Sequence, residues 1–215
     1  MLKKGILIIG LGGFLFTSCI EHEVIPAPVP QVDLYAHFIG NIGGSTIEFT
    51  ENVLYYTNSS SPSLFISPQG VNSTAVYYST MSSTSVTPSI SIGSGSVYFD
   101  GSNNNRPALP EFNNFFSSPT NQIPNYSNFA ANGDTGFNVD YVDGFGVHWL
   151  SDENSTNFQD VEYVSMKQES DNTGDYSLFT CEFDCYLYNY DPVTETYLGD
   201  SVLVSNAVYQ GWFKR

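Results

Sequence analysis

From residue 32 the chain alternates apolar and polar side chains. Val32, Leu34, Ala36 and Phe38 fall on one face, and Asp33, Tyr35 and His37 on the other. A period of two marks a strand with one face buried. A glycine-rich turn at residues 40–44 follows, then a second strand through Ile47 and Phe49. Residues 53–57 read as a third strand that ends in a Ser/Pro loop at 58–63, and further strands are expected at 75–80, 86–92 and 96–99. Clusters of Ser, Gly and Pro separate them.

The pattern changes period once. Phe112, Phe115 and Phe116 stand at i, i+3 and i+4 behind Pro110, with Pro119 bounding the run. That spacing puts three rings on one side of a short helix, which reads as a plug over one edge or end of the sheets. Alternation then returns through Phe137, Val139 and Tyr141 to Asp143-Gly144, a hairpin signal, and runs back through Val147 and Trp149. Residues 158–167 form another strand, and 171–175 a turn. The longest alternation follows, with Phe179, Cys181, Phe183, Cys185 and Leu187 on one face and Thr180, Glu182, Asp184, Tyr186 and Tyr188 on the other. Asp191-Pro192 begins the next turn, and strands at 202–208 and 209–213 close the chain. Roughly ten strands with short turns predict an all-β fold, an antiparallel β-sandwich or jelly roll, with one short helical insertion.

The first thirty residues follow a different logic. Lys3 and Lys4 precede an apolar run at 5–16, then Thr17, Ser18 and Cys19. Positive, apolar and small residues in that order make a secretory signal, and the run is shorter than the ~20 residues of a bilayer span. Thr17-Ser18-Cys19 resembles a lipobox, with Phe16 where leucine is commoner. That resemblance implies that Cys19 becomes the first mature residue and carries acyl chains such as palmitate. Several chains hold a protein to a membrane where one holds it only marginally. Pro26, Pro28 and Pro30 then favour an extended tether. The organisation expected is a signal peptide at 1–18, a lipidated proline-rich tether at 19–31, and one domain at 32–215.

Composition sharpens this picture. The chain of 215 residues carries 22 acidic and 6 basic side chains. Cleavage before Cys19 removes Lys3 and Lys4 and leaves four basic residues, a net charge near −18. Such a surface repels phosphate backbones, so nucleic acid is not an expected partner. Membrane contact is expected through the lipid on Cys19 alone.

The layout is similar to that of a broad group of Bacteroidota, flavobacterial-type, outer-membrane lipoproteins of unknown function. The likeness rests on the lipobox, on "HFIGNIGG" at 37–44, "VDYVDGFGVHW" at 139–149, "FTCEFDCYLYN" at 179–189 and the terminal "AVYQGWFKR". Glu21 and Glu23, just beyond Cys19, look like the surface-export signal of such lipoproteins, or are simply solvated tether residues. The resemblance implies an outer-membrane location on the periplasmic or cell-surface face, and it carries no catalytic residues.

Candidate chemistry is sparse. Cys181 and Cys185 in one continuous strand lie about 13 Å apart, too far for a disulfide, and read as core thiols. Oxygen-rich loops place Asp100, Asn103, Asn105 and Asp134 as weak calcium candidates, although the same residues make ordinary turns. Tyr186, Tyr188 and Tyr190 are candidates for ligand stacking on the outer face of the long strand. No G-x-S-x-G or H-E-x-x-H motif occurs. The expectation is a non-catalytic envelope or cell-surface interaction module. A surface glycan-binding accessory protein, with calcium as a possible aid, is the alternative, and a hydrolase the third reading.

Overall fold

A computed structural model describes residues 30–102, 104–118, 123–127 and 136–215. Cys19, the expected signal and most of the expected tether, together with Asn103 and Asp134, lie outside these residues. The described chain forms eleven strands and one helix. The strands are β1 His37–Ile42, β2 Ser45–Thr50, β3 Tyr56–Phe65, β4 Ser73–Ser83, β5 Ser89–Phe99, β6 Asn125–Tyr126, β7 Gly136–Val142, β8 His148–Ser151, β9 Asp160–Asp171, β10 Gly174–Asp191 and β11 Thr196–Lys214; the helix α1 is Leu109–Ser117. The pairing order is β2-β1-β11-β10-β8-β7-β5-β4-β3, with β9 also on β10 and β6 on β7. All pairs except β6 with β7 are antiparallel.

The fold is all-β, antiparallel and sandwich-like, as the alternation predicts. The long strand β10 makes this possible. Its first part, from Gly174 to Asp184, pairs with β9, and its last part, from Leu187 to Tyr190, pairs with β8. One layer thus continues into the other, and the apolar faces turn toward each other. Phe183 on β10 meets Phe137 on β7 at 5.8 Å. Tyr209 on β11 reaches Ser79 on β4 at 3.1 Å and donates to Asn58 Oδ1 on β3 at 2.9 Å. Gly211 permits that approach, because a Cβ there would lie 2.5 Å from the Tyr209 ring and 2.8 Å from Ser79 Oγ.

The inward row of β10 is the one expected: Phe179, Cys181, Phe183, Cys185 and Leu187 are all buried, and both cysteines are free thiols. The helix is also where the phenylalanine spacing puts it. Pro110 sits in its first turn, and the Glu111 carboxylate accepts the Ala108 N–H at 2.6 Å. Phe112 and Phe116 are buried, contacting Tyr77 of β4 and, through a stacked pair at 5.0 Å, Phe213 of β11. Phe115 is only partly buried against the same core.

Several boundaries differ from the sequence expectation. The turn at 40–44 contracts to Gly43-Gly44, both with positive φ, because β1 and β2 pair up to Ile42 and Ser45. Two central residues with φ > 0 suit the twist of a tight hairpin. Residues 53–55 are turn rather than strand, and the Ser/Pro segment at 58–63 is strand rather than loop. β3 is an edge strand, where its row of hydroxyls and Pro62 are tolerated. The two short runs at 86–92 and 96–99 merge into β5, whose Gly93, Ser94, Gly95 and Ser96 are buried small residues. The last two strands likewise merge into β11, interrupted by a bulge where Asn206, at φ +50°, donates its N–H to Asp184 Oδ1.

Candidate functional site

Pairing registers align the outer face of β5, β7, β8 and β10. Asp140 stands opposite Ser91 on one side and Leu150 on the other, and Leu150 stands opposite Tyr188. One row over, Val142, His148, Tyr190 and Tyr197 follow in line. On the far side Tyr78 pairs with Gly93, which pairs with Asn138. Cross-strand partners share a face, so three rows of outward side chains converge on one area.

A cleft of about 570 Å³ lies there. Asp140, His148 and Leu150 lie beneath it, Tyr78 and Ser91 flank it from β4 and β5, and Tyr190, Pro192 and Glu195 come from the end of β10 and its turn. Its size lies within the range of small-molecule sites. The turn is built by Asp191, whose Oδ1 accepts the N–H of Val193 at 2.9 Å and whose Oδ2 accepts the Thr194 hydroxyl at 2.8 Å. Glu195 then takes φ +54° and is exposed.

Burial acts on three ionisable groups of the cleft. Burial raises the Asp140 carboxyl above its usual value, against the opposing pull of His148, whose Nδ1 lies 3.3 Å from Asp140 Oδ1. Burial raises the Tyr78 phenol. The Tyr190 phenol is raised by burial first and then by the charges of Glu195, Asp191 and Asp140. Among the described residues neither Lys nor Arg lines the cleft.

The three tyrosines marked in the sequence do share one face of β10, and all are half-buried. Only Tyr190 lines the cleft. Tyr188 is held beneath the 152–159 loop, with its hydroxyl 2.6 Å from Ser155 Oγ and accepting from Asn157 Nδ2 at 2.9 Å. Tyr197 braces both: its ring stands edge-on to Tyr188 at 6.1 Å and to Tyr190 at 5.4 Å, and its hydroxyl donates to Ser151 O at 2.9 Å. Tyr186 pairs with Leu203 on β11 and does not line the cleft. Of the three rings, Tyr190 lines the cleft and Tyr188 is tied to the 152–159 loop.

No match to this chain is found among protein-family models, curated proteins or solved structures.

Asp100 forms a local turn, its Oδ1 accepting the Ser102 N–H at 2.9 Å, and hydrogen bonds from Ser102 hold its carboxyl below its usual value. Asn105 is exposed. Among the described residues no group of three His, Cys, Asp or Glu side chains is gathered as a metal would require. A second concavity, of about 330 Å³, lies on β9, β10 and β11 between Asp160, Glu162, Glu182, Asp184 and Asn206.

Asp140, His148, Glu195 and Tyr78 were not legible as a set. The local signal in β7 was an acid between Val139 and Tyr141.

Proposed function

We propose that this is a lipid-anchored, extracytoplasmic and non-catalytic binding module of an outer membrane, and that its ligand enters the Tyr190 cleft. Cys19 holds the membrane, the proline tether sets the distance, and the sandwich carries the cleft. The lipobox and the likeness to Bacteroidota lipoproteins support the anchoring. The observation that carries the binding reading is the cleft itself, where the braced ring of Tyr190 and the hydrogen-bonding groups of Asp140, His148 and Ser91 meet in one space. A flat ring beside acceptors and donors suits a polyhydroxylated ligand such as a glycan. The test pairs membrane fractionation of Cys19→Ser with glycan-array binding of Tyr190→Ala. The reading predicts loss of membrane retention in the first and loss of array binding in the second. A Cys19→Ser chain still retained by membranes, or a Tyr190→Ala chain that binds as before, refutes the corresponding half.

The raised Asp140 carboxyl, in a cleft that Glu195 also lines, favours one second reading, a hydrolase with Asp140 as proton donor. Release of reducing sugar from an array-positive glycan, abolished in Asp140→Asn, would establish it in place of the non-catalytic one.

A further inference from the structure

We propose that the Tyr190 cleft recognises a protonated amine on its ligand. The inference rests on the binding reading above and specifies the chemistry of that site.

The cleft presents two carboxylates, Asp140 and Glu195, from different elements, and two aromatic rings, Tyr78 and Tyr190. Carboxylates and ring faces are the two protein surfaces that attract an ammonium group. The lining residue able to balance them is His148. Its 3.3 Å approach to Asp140 is long for a charge-assisted hydrogen bond.

The basic residues of the domain are all engaged elsewhere or absent from the cleft. Arg215 pairs with Asp175 and donates to Pro107 O, Lys167 pairs with Glu169, and Lys214 stands 5.5 Å from the centre of the Tyr176 ring. Arg106 does not line the cleft. With 20 acids at 32–215 against these four, the surrounding field is negative, and it concentrates cations at a concave site. A neutral ligand would leave both carboxylates uncompensated as it displaced their water. An ammonium group compensates them and can lie over either phenol ring.

The shared chemistry has two sources, an amino sugar or a lysyl side chain, and the experiment separates them. The full mature chain is titrated by calorimetry and by NMR with glucosamine, with N-acetylglucosamine, and with N-acetyl-lysine methylamide. The inference predicts that at least one amine binds about tenfold or more tighter than N-acetylglucosamine, one such step being ~1.4 kcal/mol. Binding should weaken several-fold as salt rises toward about 1 M, where the screening length is ~3 Å. Glucosamine alone binding assigns the amino sugar, and the lysine amide alone assigns the peptide source. Glu195→Gln, on an exposed turn, should weaken the amine about as much as Asp140→Asn, which guards against a folding defect in the latter. N-acetylglucosamine binding as tightly as both amines overturns the amine requirement and leaves the cleft reading intact. Failure of all three probes, with array binding still lost in Tyr190→Ala, also overturns the amine alone. Failure of all three with array binding unaffected overturns both.

Discussion

Glu162 on β9 stands directly opposite Glu182 on β10, and two residues along the same face Asp160 stands opposite Asp184. Like charges in directly opposed positions repel, at a cost on the order of 0.2–1 kcal/mol per pair. Four carboxylates therefore ring the smaller concavity with no basic residue among its lining. Replacing one member by the opposite charge should turn repulsion into attraction. Glu162→Lys is expected to raise the urea midpoint, with a gain in unfolding free energy of about 0.5–1 kcal/mol at low ionic strength. The gain should shrink in high salt, where exposed charges are screened. A lower midpoint would mean that these acids share a compensating cation.

The two thiols should be chemically silent. Burial pushes the Cys185 thiol up to about 12 and the Cys181 thiol higher still. The thiolate is the nucleophile, and both groups sit fully inside the core. Neither should react with an aromatic disulfide reagent in the native state, and both should react once the chain is unfolded in guanidinium. Rapid native reaction of either would contradict the packing of β10.

What the sequence made legible followed from how local each signal was. The inward row of β10 and the phenylalanine face of α1 each depend on spacing within one element, and both were readable. β3 was not, because a Ser-rich edge strand is defined by the ladder of its neighbour β4 rather than by its own side chains. The cover over Tyr188 was not readable for a similar reason. The 152–159 loop that covers it comes from more than thirty positions away. The cleft draws on β4, β5, β7, β8 and β10, so no single segment could announce it.

Helix α1 should behave as part of the core rather than as an appendage. Phe116 contacts Phe112 at 4.9 Å, stacks on Phe213 at 5.0 Å and meets Tyr77 at 5.8 Å, so one side chain joins both layers. Phe116→Ala is expected to cost about 3–5 kcal/mol, the range for large-to-small changes at buried aromatics. Chemical denaturation measures it. A loss below ~1 kcal/mol would show that the helix can leave without opening the sandwich.

Asp171 links acid stability to the start of the domain. Its Oδ2 accepts the Val32 N–H at 2.8 Å, while Oδ1 accepts from the Thr173 N–H and hydroxyl and the Gly174 N–H. The Thr173 hydroxyl is the largest contributor, followed by the Val32 amide, and together they hold the carboxyl down to about 2. A folded-state value below the unfolded ~3.9 means the stabilisation is present above about pH 4 and is lost as pH falls toward about 2. Asp171→Asn should remove that part of the acid dependence and speed amide exchange at Val32. An unchanged acid profile would show that the hairpin does not depend on the charge.

The sharpest separation of stability from function should come from Glu195. Its φ of +54° lies in the left-handed region, where a non-glycine residue is strained and glycine is not. The same residue supplies one of the two carboxylates of the cleft. Glu195→Gly should therefore relieve backbone strain and stabilise the fold by about 0.5–1 kcal/mol, offset in part by the larger unfolded-state freedom of glycine. At the same time it should weaken the cleft's ligand. Glu195→Gln keeps the side-chain length and the strained backbone, so it should lose ligand affinity with little change in stability. Thermal denaturation and ligand titration on the two variants give four readings. Glycine stabilising while both variants lose ligand is the expected set, and it fits a turn that tolerates strain to keep a carboxylate in place. If glycine stabilises and both variants bind as before, the carboxylate has no role in the cleft, and the strain at position 195 serves only the hairpin.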